Sequence, residues 1–593
     1  MLSFSELQNL VDNLRKDQIV PISAAAMEKG AYRRCYEYLI RLQILDEVEG
    51  IAKVIYEPNH VSMNSLFSQW KSRTEFSQYS LGSLEPVLKT RRTLLEVAAQ
   101  HCPSQKDFLN DQLGECWLIS SKVARKAGQF SKAYNLLLEA EKFCHKETFI
   151  ERAKLCWVRE NKTEAIDVLQ KGISEQFPNI SQIAMKTDEE LSPNDKEQKL
   201  ICGKAKLLLA RYVDDAANLG PEVIPSYYNE AKVLQQRSED VFVYIARYFE
   251  KFIGKNYKES DLDGFGDIIK FIISNYARSL IFGCEHLHQS LARMLSLWLD
   301  YGSRVSYNEE MKTMSPAVRS DMRDSLEKMN ENVDLVRQKV PKYYFLSVFP
   351  QLTSRICHVN DKVWAILESI LVDTFFAYPH HVFWHMVALH KSSISQRSQR
   401  CKQIFKKVKE KLKKSRLEKL LDEGANLAER LLELCDAKLE PGRVTLRDHM
   451  PRLMTLCNNS LSSKILLPTT ANMTVMLPSG PINEKVSPNP FPDELVYIAG
   501  IEDNVEVMKS LIKPKKITFR GTNGQRYSFL CKPKDDLRRD SRLLDMNNLL
   551  NKLFKKDPEC RKRNLHIRTY VRKITNCILF VLIDQHFLLF FLL

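Results

Sequence analysis

The sequence predicts a mostly α protein, in which a tetratricopeptide-like helical-repeat solenoid is followed by a small α+β lobe. The chain has 593 residues but only 19 glycines, which favours several helical domains over a single β-rich core. Helical periodicity continues, with short polar breaks, from residue 1 to about residue 390. After a proline-rich stretch the apolar period changes from helical to alternating, which is typical of strands.

Internal similarity supports the repeat prediction for residues 1–390. Five residues recur at a constant separation of 98 positions, which is close to three repeats of about 34 residues. The first copy has Ala26, Gly30, Cys35, Tyr36 and Leu39, and the second has Ala124, Gly128, Ala133, Tyr134 and Leu137. We expect the small residues to let antiparallel helices approach and the Gly-x-aromatic step to form the turn between them. The alternative is a chance match, since these residue types are common in helices.

The composition limits the possible partners and compartments. The net charge is +15, and its densest basic stretch lies between Lys402 and Lys419. Leucines interleave there at helical spacing, so we interpret the stretch as the solvated face of an amphipathic helix, with a phosphate-binding stripe as the alternative. Fourteen scattered cysteines without a C-x-x-C pair argue against a zinc ribbon or a disulfide framework. The nucleus or cytosol fits this pattern.

A histidine cluster could be read as a metal site. His381 and His385 lie four residues apart on a predicted helix, a spacing that can bind a metal. No acidic or cysteine ligand lies between them, whereas Phe383 and Trp384 do. We therefore predict that the histidines pack in the core, and we predict no metal site.

The second half of the chain divides by composition. Residues 391–476 are predicted as a charged helical connector, and residues 477–493 as a proline-rich linker, because prolines at this density cannot continue a helix. Residues 494–570 form the predicted α+β lobe, and residues 571–593 an apolar tail. Within the lobe, alternating runs at 516–520 and 525–532 flank Asn523-Gly524, a strong hairpin signal in which both residues can adopt positive φ. An amphipathic helix is predicted over 538–556, with leucines 543, 544, 549, 550 and 553 at core spacing.

The second hairpin strand ends in a lysine that precedes two acidic clusters. Such an arrangement can hold nucleotide phosphates, with Lys532 contacting them and Asp535 or Asp540 orienting the lysine. The same residues also fit a surface lysine followed by aspartates that stabilise a helix N-terminus. Spacing alone leaves both interpretations open.

Several segments resemble the phosphatidylinositol 3-kinase-related kinases. Leu-Ala-Arg-Met-Leu-Ser-Leu-Trp-Leu-Asp-Tyr-Gly at 291–302, together with residues 344–358 and 377–381, resembles the FAT region of that family. Cys-Lys-Pro-Lys-Asp-Asp-Leu-Arg at 531–538 resembles its kinase N-lobe, as do residues 490–500, 513–517, 521–524 and 566–570. The resemblance implies that residues 1–390 are a FAT-type solenoid. It also implies that residues 494–570 are an incomplete kinase N-lobe of the PI3K/PI4K type.

The resemblance also implies a nucleotide site. Lys532 would be the ATP-binding lysine, Asp535 its ion-pair partner and Asp540 a further acidic residue of the pocket. Residues 510–516 would cover the phosphates through a serine hydroxyl, backbone N–H groups and lysine charge, and Tyr570 would approach the adenine. The implied cofactor-binding residues are Lys532, Asp535, Asp540, Ser510, Lys513 and Tyr570, and the implied cofactors are ATP and Mg²⁺.

The tail departs from the family pattern. No Asp-Arg-His-x-x-Asn or Asp-Phe-x motif follows Lys532, so the sequence predicts no catalytic residue, no Mg²⁺ ligand and no kinase activity for this chain by itself. We interpret residues 571–593 as a segment without homology to the family. The alternative is a membrane anchor over 574–593, which is nearly long enough to cross a bilayer.

Three functional hypotheses follow. The first is a fragment of a serine/threonine kinase that phosphorylates Ser/Thr-Gln sites in DNA-damage checkpoint signalling in the nucleus. By resemblance, its partners are protein substrates and an obligate regulatory subunit, its association with damaged DNA is indirect, and no membrane is involved. The second is a catalytically inactive scaffold that binds proteins through its helical repeats, and the third is an adaptor anchored by the apolar tail.

Overall fold

The computed structural model has two compact units, residues Met1–Gln236 and Arg237–Leu593. Most of the chain from residue 3 to residue 582 is described. The gaps are residues 28–31, 57–59, 77–80, 144, 187–189, 218, 257–265, 307–314, 391–393, 414–416, 418, 470–472, 474, 478–488, 492–493, 532–542, 544–545, 548, 552, 556, 568–571 and 576–577. Each unit is described by itself.

The first unit is built from antiparallel helices. Its helices are α1 (Phe4–Met27), α2 (Tyr32–Tyr56), α3 (His60–Phe76), α4 (Leu81–His101), α5 (Lys106–Lys126), α6 (Phe130–Glu141), α7 (Thr148–Val158), α8 (Lys162–Gln176), α9 (Ile180–Met185), α10 (Pro193–Ala216) and α11 (Ile224–Leu234). Successive helices pack as neighbours, as in α1 with α2, α5 with α6, and α7 with α8. This is the predicted helical-repeat arrangement.

The α5–α6 hairpin confirms the repeat pattern where the structure describes it. Gly128 forms the turn with φ of 77°, a conformation that glycine adopts without steric cost. Ala124 and Ala133 are completely buried between the two helices, and Phe130 packs against the same cluster. The corresponding Gly30 lies outside the described residues.

A buried ion pair joins three helices of the first unit. The Arg91 guanidinium of α4 donates two hydrogen bonds to the Glu47 carboxylate of α2, at 2.8 and 2.6 Å. It donates a third to Thr74 Oγ1 of α3, at 2.8 Å, and lies 4.7 Å from the centre of the Trp70 ring. The side chains of Arg91 and Glu47 are 3% and 0% exposed. Because both charges are removed from water, removing either partner would leave the other charge buried and unpaired, which is strongly destabilising.

In its described residues, the second unit begins with ten helices. They are α12 (Glu239–Asn256), α13 (Gly266–Phe282), α14 (Leu287–Ser306), α15 (Pro316–Lys339), α16 (Tyr343–Ser347), α17 (Phe349–Ser354), α18 (Asp361–Ala377), α19 (Pro379–His390), α20 (Ser395–Leu412) and α21 (Leu420–Asp436). Trp298 of α14 donates to the Asn330 side chain of α15 at 2.8 Å, within the core. On α21, a Cβ at Gly424 would lie 2.4 Å from the Phe383 ring of α19, so only glycine allows this close approach.

An antiparallel sheet follows the helices. Its strands are β1 (Gly442–Thr445), β2 (Ile498–Ile501), β3 (Asn504–Val507), β4 (Lys515–Gly521), β5 (Arg526–Cys531), β6 (Arg572–Thr575) and β7 (Ile578–Leu582), and the short helices α22 (Leu446–His449), α23 (Pro451–Thr455) and α24 (Pro558–Lys562) lie between strands. The strand order is β1-β3-β4-β5-β7-β6, with β2 also beside β4. The predicted fold class, a helical solenoid followed by a small α+β lobe, is confirmed.

The predicted hairpin is confirmed, but its turn differs. Strands β4 and β5 pair antiparallel with Ile517 opposite Phe529. The Gly521 N–H donates to the Gln525 carbonyl at 2.9 Å across a loop of three residues. Gly524 alone in this loop has positive φ, at 76°, so the expectation of positive φ at both Asn523 and Gly524 is wrong. A three-residue loop needs left-handed backbone only at its last position.

The part of the basic stretch that lies in α20, residues 402–412, is a solvated helix face, as interpreted. Along α20 the buried residues recur at helical spacing as Cys401, Ile404, Val408 and Leu412. The intervening lysines are exposed, and three of them form ion pairs with neighbouring helices. These pairs are Lys407–Glu368, Lys409–Asp422 and Lys411–Asp373.

Two parts of the sheet lie outside the predicted lobe of residues 494–570. Strand β1 lies within the stretch predicted as a helical connector and pairs with β3, with Gly442 opposite Val507. In the apolar tail, β6 and β7 form a hairpin, and β7 pairs with β5. The membrane-anchor alternative is therefore wrong for residues 574–575 and 578–582, which are strands. The physical reason is that the edge of β5 offers unpaired backbone groups to which an apolar segment can bond. Within the described part of the chain, no helix is long and apolar enough to cross a membrane.

The buried ion pair gives a stability prediction. We expect Glu47→Ala or Arg91→Ala to lower the free energy of unfolding by about 3–5 kcal/mol, because each leaves one buried charge unpaired. The exposed pair Arg41–Glu37 provides the control, since Glu37→Ala should change this free energy by less than about 0.5 kcal/mol. Equilibrium urea denaturation measures both.

A double variant makes the test specific to the charges. Because Glu47→Leu combined with Arg91→Leu removes both charges, it should lower stability less than either single substitution. Additive losses in this double-mutant cycle would contradict the explanation.

Candidate nucleotide site

The loop between β3 and β4, residues 508–514, is tightly folded. The Met508 N–H donates to the Pro514 carbonyl at 2.9 Å, which closes the base of the loop. The Ser510 N–H donates to the Met508 carbonyl at 3.0 Å, and the Lys513 N–H to the Ser510 carbonyl at 3.1 Å. Lys513 has φ of 40°, an uncommon conformation for a residue with a side chain. The loop is thus a defined turn whose shape depends on its own hydrogen bonds.

The loop presents Ser510 and Lys513 at the surface. Ser510 is exposed, and the Lys513 ammonium lies 3.5 Å from a Glu440 carboxylate oxygen, an ion pair in which Glu440 is 91% exposed. Leu511 and Ile512 at the tip are also exposed. An exposed pair of this kind contributes little stability, so the lysine can exchange its carboxylate for a phosphate at small cost.

Lys515, directly after the loop, lies on the core face of β4. It is the first residue of β4 and only 2% exposed, and its ammonium donates to the Cys435 carbonyl in the last turn of α21. The resemblance places the phosphate-covering segment at 510–516, but Lys515 belongs to the core. Burial lowers the pKa of the Lys515 ammonium, because an apolar environment disfavours the charged form.

Two cysteines complete this buried cluster. Cys531 is the cross-strand partner of Lys515, and both Cys531 and Cys435 are buried free thiols. A hydrogen bond with the Cys435 side chain, together with burial, raises the pKa of the Cys531 thiol. The Cys531 thiol is therefore held protonated in the core, where both cysteines pack between α21 and the sheet.

The other candidate residues are not described. Lys532, Asp535, Asp540 and Tyr570 lie outside the described residues, so their roles stay predictions. The described part of β5 ends at Cys531, directly before Lys532.

The helix after this segment corrects one prediction. The described residues between 543 and 555 are helical, but Leu543, Leu549 and Leu553 are 62%, 53% and 51% exposed. They are not core residues, and Leu544 lies outside the described residues. The helix is anchored by another face, because Asn551 exchanges two hydrogen bonds of 2.7 Å with the backbone of Ile567.

The histidine cluster packs against aromatic rings. His381 stacks on Phe491 with ring centres 3.8 Å apart, and His385 lies 5.7 Å from Phe349. Burial lowers the pKa of His380. In the described parts of the chain, no His, Cys, Asp and Glu side chains form a group that could hold a metal ion.

Sequence reasoning missed the contacts that position the loop. Lys515 was one of several lysines in the run 513–516, and Glu440 lay in a stretch predicted as helical connector. The alternation of β4 provided one signal, because Lys515 shares the parity of Ile517 and Phe519. Nothing local indicated that a helix end would lie against it.

Two family models match this chain. The family model for the FAT domain matches residues 2–296. The model for the HEAT repeats of serine/threonine-protein kinase ATR-like proteins matches residues 328–428. The domain boundaries proposed from the sequence stay predictions.

Curated relatives match along nearly the whole chain. It is 29% identical over 598 residues to serine/threonine-protein kinase ATR of Drosophila melanogaster, a match that covers 95% of this chain and 22% of that protein. It is 30% identical over 587 residues to protein kinase rad3 of Schizosaccharomyces pombe, covering 96% of this chain and 24% of that protein. The chain therefore spans about a quarter or less of the length of these relatives.

Solved structures share the fold. The structure of the FAT and kinase domain of CtTel1 superposes with a TM-score of 0.65 at 17% identity, over 94% of this chain and 40% of that one. The open conformation of CtTel1 gives a TM-score of 0.66 at 18% identity, over 93% of this chain and 22% of that one.

The exposed leucines give a second prediction. Leu549→Gln should change the free energy of unfolding by less than about 0.5 kcal/mol, because the side chain is mostly in water. Phe529→Ala, at a completely buried position of β5, should lower it by about 3–5 kcal/mol. Urea denaturation followed by tryptophan fluorescence compares the two. A large loss from Leu549→Gln would mean that this helix face is covered in solution.

Proposed function

Because this chain belongs to the ATR-like family of FAT-domain, phosphatidylinositol 3-kinase-related protein kinases, we propose that it forms the helical body and nucleotide-binding lobe of a serine/threonine kinase. The reaction of the whole enzyme would transfer the γ-phosphate of ATP to serine or threonine, before glutamine, in DNA-damage checkpoint signalling. Lys532 would contact the α- and β-phosphates, with Asp535 as its ion-pair partner and Asp540 as a further acidic residue of the pocket. Tyr570 would approach the adenine.

The observation that carries the proposal is the β4–β5 hairpin and its alternation. Ile517, Phe519, Phe529 and Cys531 face the core. Since successive residues of a strand point to opposite faces, Ser528 and Leu530 lie on the other face of the hairpin, where they are only partly buried. The 508–514 loop joins β4 at the end where Lys515 pairs with Cys531, the last residue of β5. Ser510 and Lys513 would therefore bind phosphates together with Lys532.

The charge of this end of the sheet supports a phosphate ligand. Lys513 has only a weak, exposed carboxylate partner, and lysines with backbone N–H groups are suited to hold phosphate oxygens. Mg²⁺ would accompany ATP, and its ligands are not among the residues assigned here. When bound, ATP supplies the γ-phosphoryl group that the whole enzyme would transfer.

Partners and compartment follow from family membership as part of the same proposal. The substrates would be proteins, an obligate regulatory subunit would be a further partner, and the association with damaged DNA would be indirect. The site of action would be the nucleus. The relatives named above are kinases by name, which supports protein substrates more directly than it supports the other partners.

Nucleotide binding by the purified chain tests the proposal. We expect ATP with Mg²⁺ to bind, and Lys532→Ala to weaken binding at least about tenfold, because it removes a charge-assisted contact to phosphate. Lys402→Ala, at an exposed position of α20, is the matched control and should bind as the unchanged chain does. Isothermal titration calorimetry measures all three, and equal affinities would contradict the assignment of Lys532.

Catalysis is expected to be absent from this chain by itself. It contains no Asp-Arg-His-x-x-Asn motif after Lys532, so no residue is assigned to activate the acceptor hydroxyl. A radiolabelled-phosphate assay should show no transfer to a Ser-Gln peptide. Transfer that Lys532→Ala abolishes would overturn this expectation.

A further inference from the structure

We propose that the C-terminal end of α21 positions the 508–514 loop, and that Lys515 is the positioning residue that couples them. The inference deepens the proposed function, because the loop is taken there to cover the phosphates of ATP. It concerns a residue on the core face of the sheet, so its effect on nucleotide binding would be indirect.

Lys515 lies where both arms of the loop meet. In the sheet it stands between Val507, the last residue of β3, and Cys531, the last residue of β5. Any displacement of Lys515 therefore moves the base of the loop and the strand that leads to Lys532. A side chain at this point can position both parts of the proposed phosphate site.

The acceptor of Lys515 is the end of a helix. The carbonyl groups in the last turn of a helix have no intrahelical donors, and the Lys515 ammonium donates to one of them, on Cys435. A lysine is almost never fully buried unless it is paired. The contact thus satisfies both the helix end and the buried charge, and its loss would leave a buried carbonyl without this donor.

The tip of the loop has a second, weaker tether to the same region. Lys513 lies 3.5 Å from Glu440, which follows α21 by only four residues. Because this ion pair is exposed, it contributes far less than the buried contact. The base of the loop is therefore held firmly, while the tip remains free to exchange Glu440 for a ligand.

Helix α21 is itself fixed in the helical body. Gly424 packs directly against the Phe383 ring of α19. The neighbouring Glu423 accepts hydrogen bonds from the N–H groups of Ser462 and Ser463, at 3.1 and 2.7 Å. A shift of the helical layer would move α21 along its length, and the Cys435 carbonyl would transmit that shift to Lys515.

Hydrogen–deuterium exchange on the full chain tests the coupling. Lys515→Met keeps a long unbranched side chain but removes the donor, so peptides that cover 508–514 should exchange about tenfold faster. Peptides from the 517–529 hairpin should be unchanged. Lys515→Arg, which keeps a donor, and Lys438→Met, an exposed lysine in the same connection, should both resemble the unchanged chain.

A second variant, distant from the loop, guards against misfolding of the first. Gly424→Ala would push α21 away from Phe383 and should also speed exchange in 508–514. Gly82→Ala, where an added Cβ meets no atom within 4 Å, should not. Unchanged loop exchange in Gly424→Ala, or a uniform loss of protection over the whole sheet in Lys515→Met, would overturn the proposal.

ATP titration separates this inference from the proposed function. If Lys515 positions the loop, Lys515→Met should weaken ATP binding about five- to tenfold. The Lys438→Met control should bind ATP as the unchanged chain does. If the unchanged chain binds no ATP, the proposed function fails, while the exchange experiment still decides whether α21 positions the loop. If ATP binds equally to Lys515→Met, Lys515 does not position the phosphate site.

Discussion

The second unit depends on covering one face of its sheet. Strands β4 and β5 present Ile517, Phe519, Phe529 and Cys531 to one side, and a sheet with such a face is stable only if another layer buries it. The helical layer supplies the cover, and a single apolar cluster runs without interruption from Ala246 to Cys531. The helices and the sheet therefore share one core. The 508–514 loop, which precedes β4, is positioned by its contact with the helices.

Two of the described buried charges have partners on other elements. Arg91 is buried with Glu47, and Lys515 is buried against the end of α21. In both places the partner comes from a different element, so each charge favours one arrangement of helices over its alternatives. The exposed pairs, such as Lys513 with Glu440, leave their groups available to other ligands. Burial thus separates the residues that hold the structure from those that can bind.

Local patterns accounted for much of the fold. The asparagine-glycine step and the flanking alternation predicted the β4–β5 hairpin, and Gly128 predicted the α5–α6 turn. The proposed nucleotide site was less accessible to this reasoning, because its loop could be located from the sequence but the contacts that support the loop could not. Lys515 looked equivalent to its neighbours in a run of lysines, and only the approach of α21 distinguishes it. Likewise, the leucines at 543, 549 and 553 had core spacing, yet they are exposed and the described contact of that helix is made by Asn551.

By itself, the sequence determined the division into a helical body and an α+β lobe, the periodicities of both and the hairpin, since these depend on residues close together along the chain. It also carried the motifs by which the family could be recognised. The tertiary structure decided which lysine is buried, that β1, β6 and β7 join the sheet, and which residues of the helix between 543 and 555 are exposed. Each of these depends on a partner distant in sequence, and periodicity gives the direction of a side chain but not what it meets.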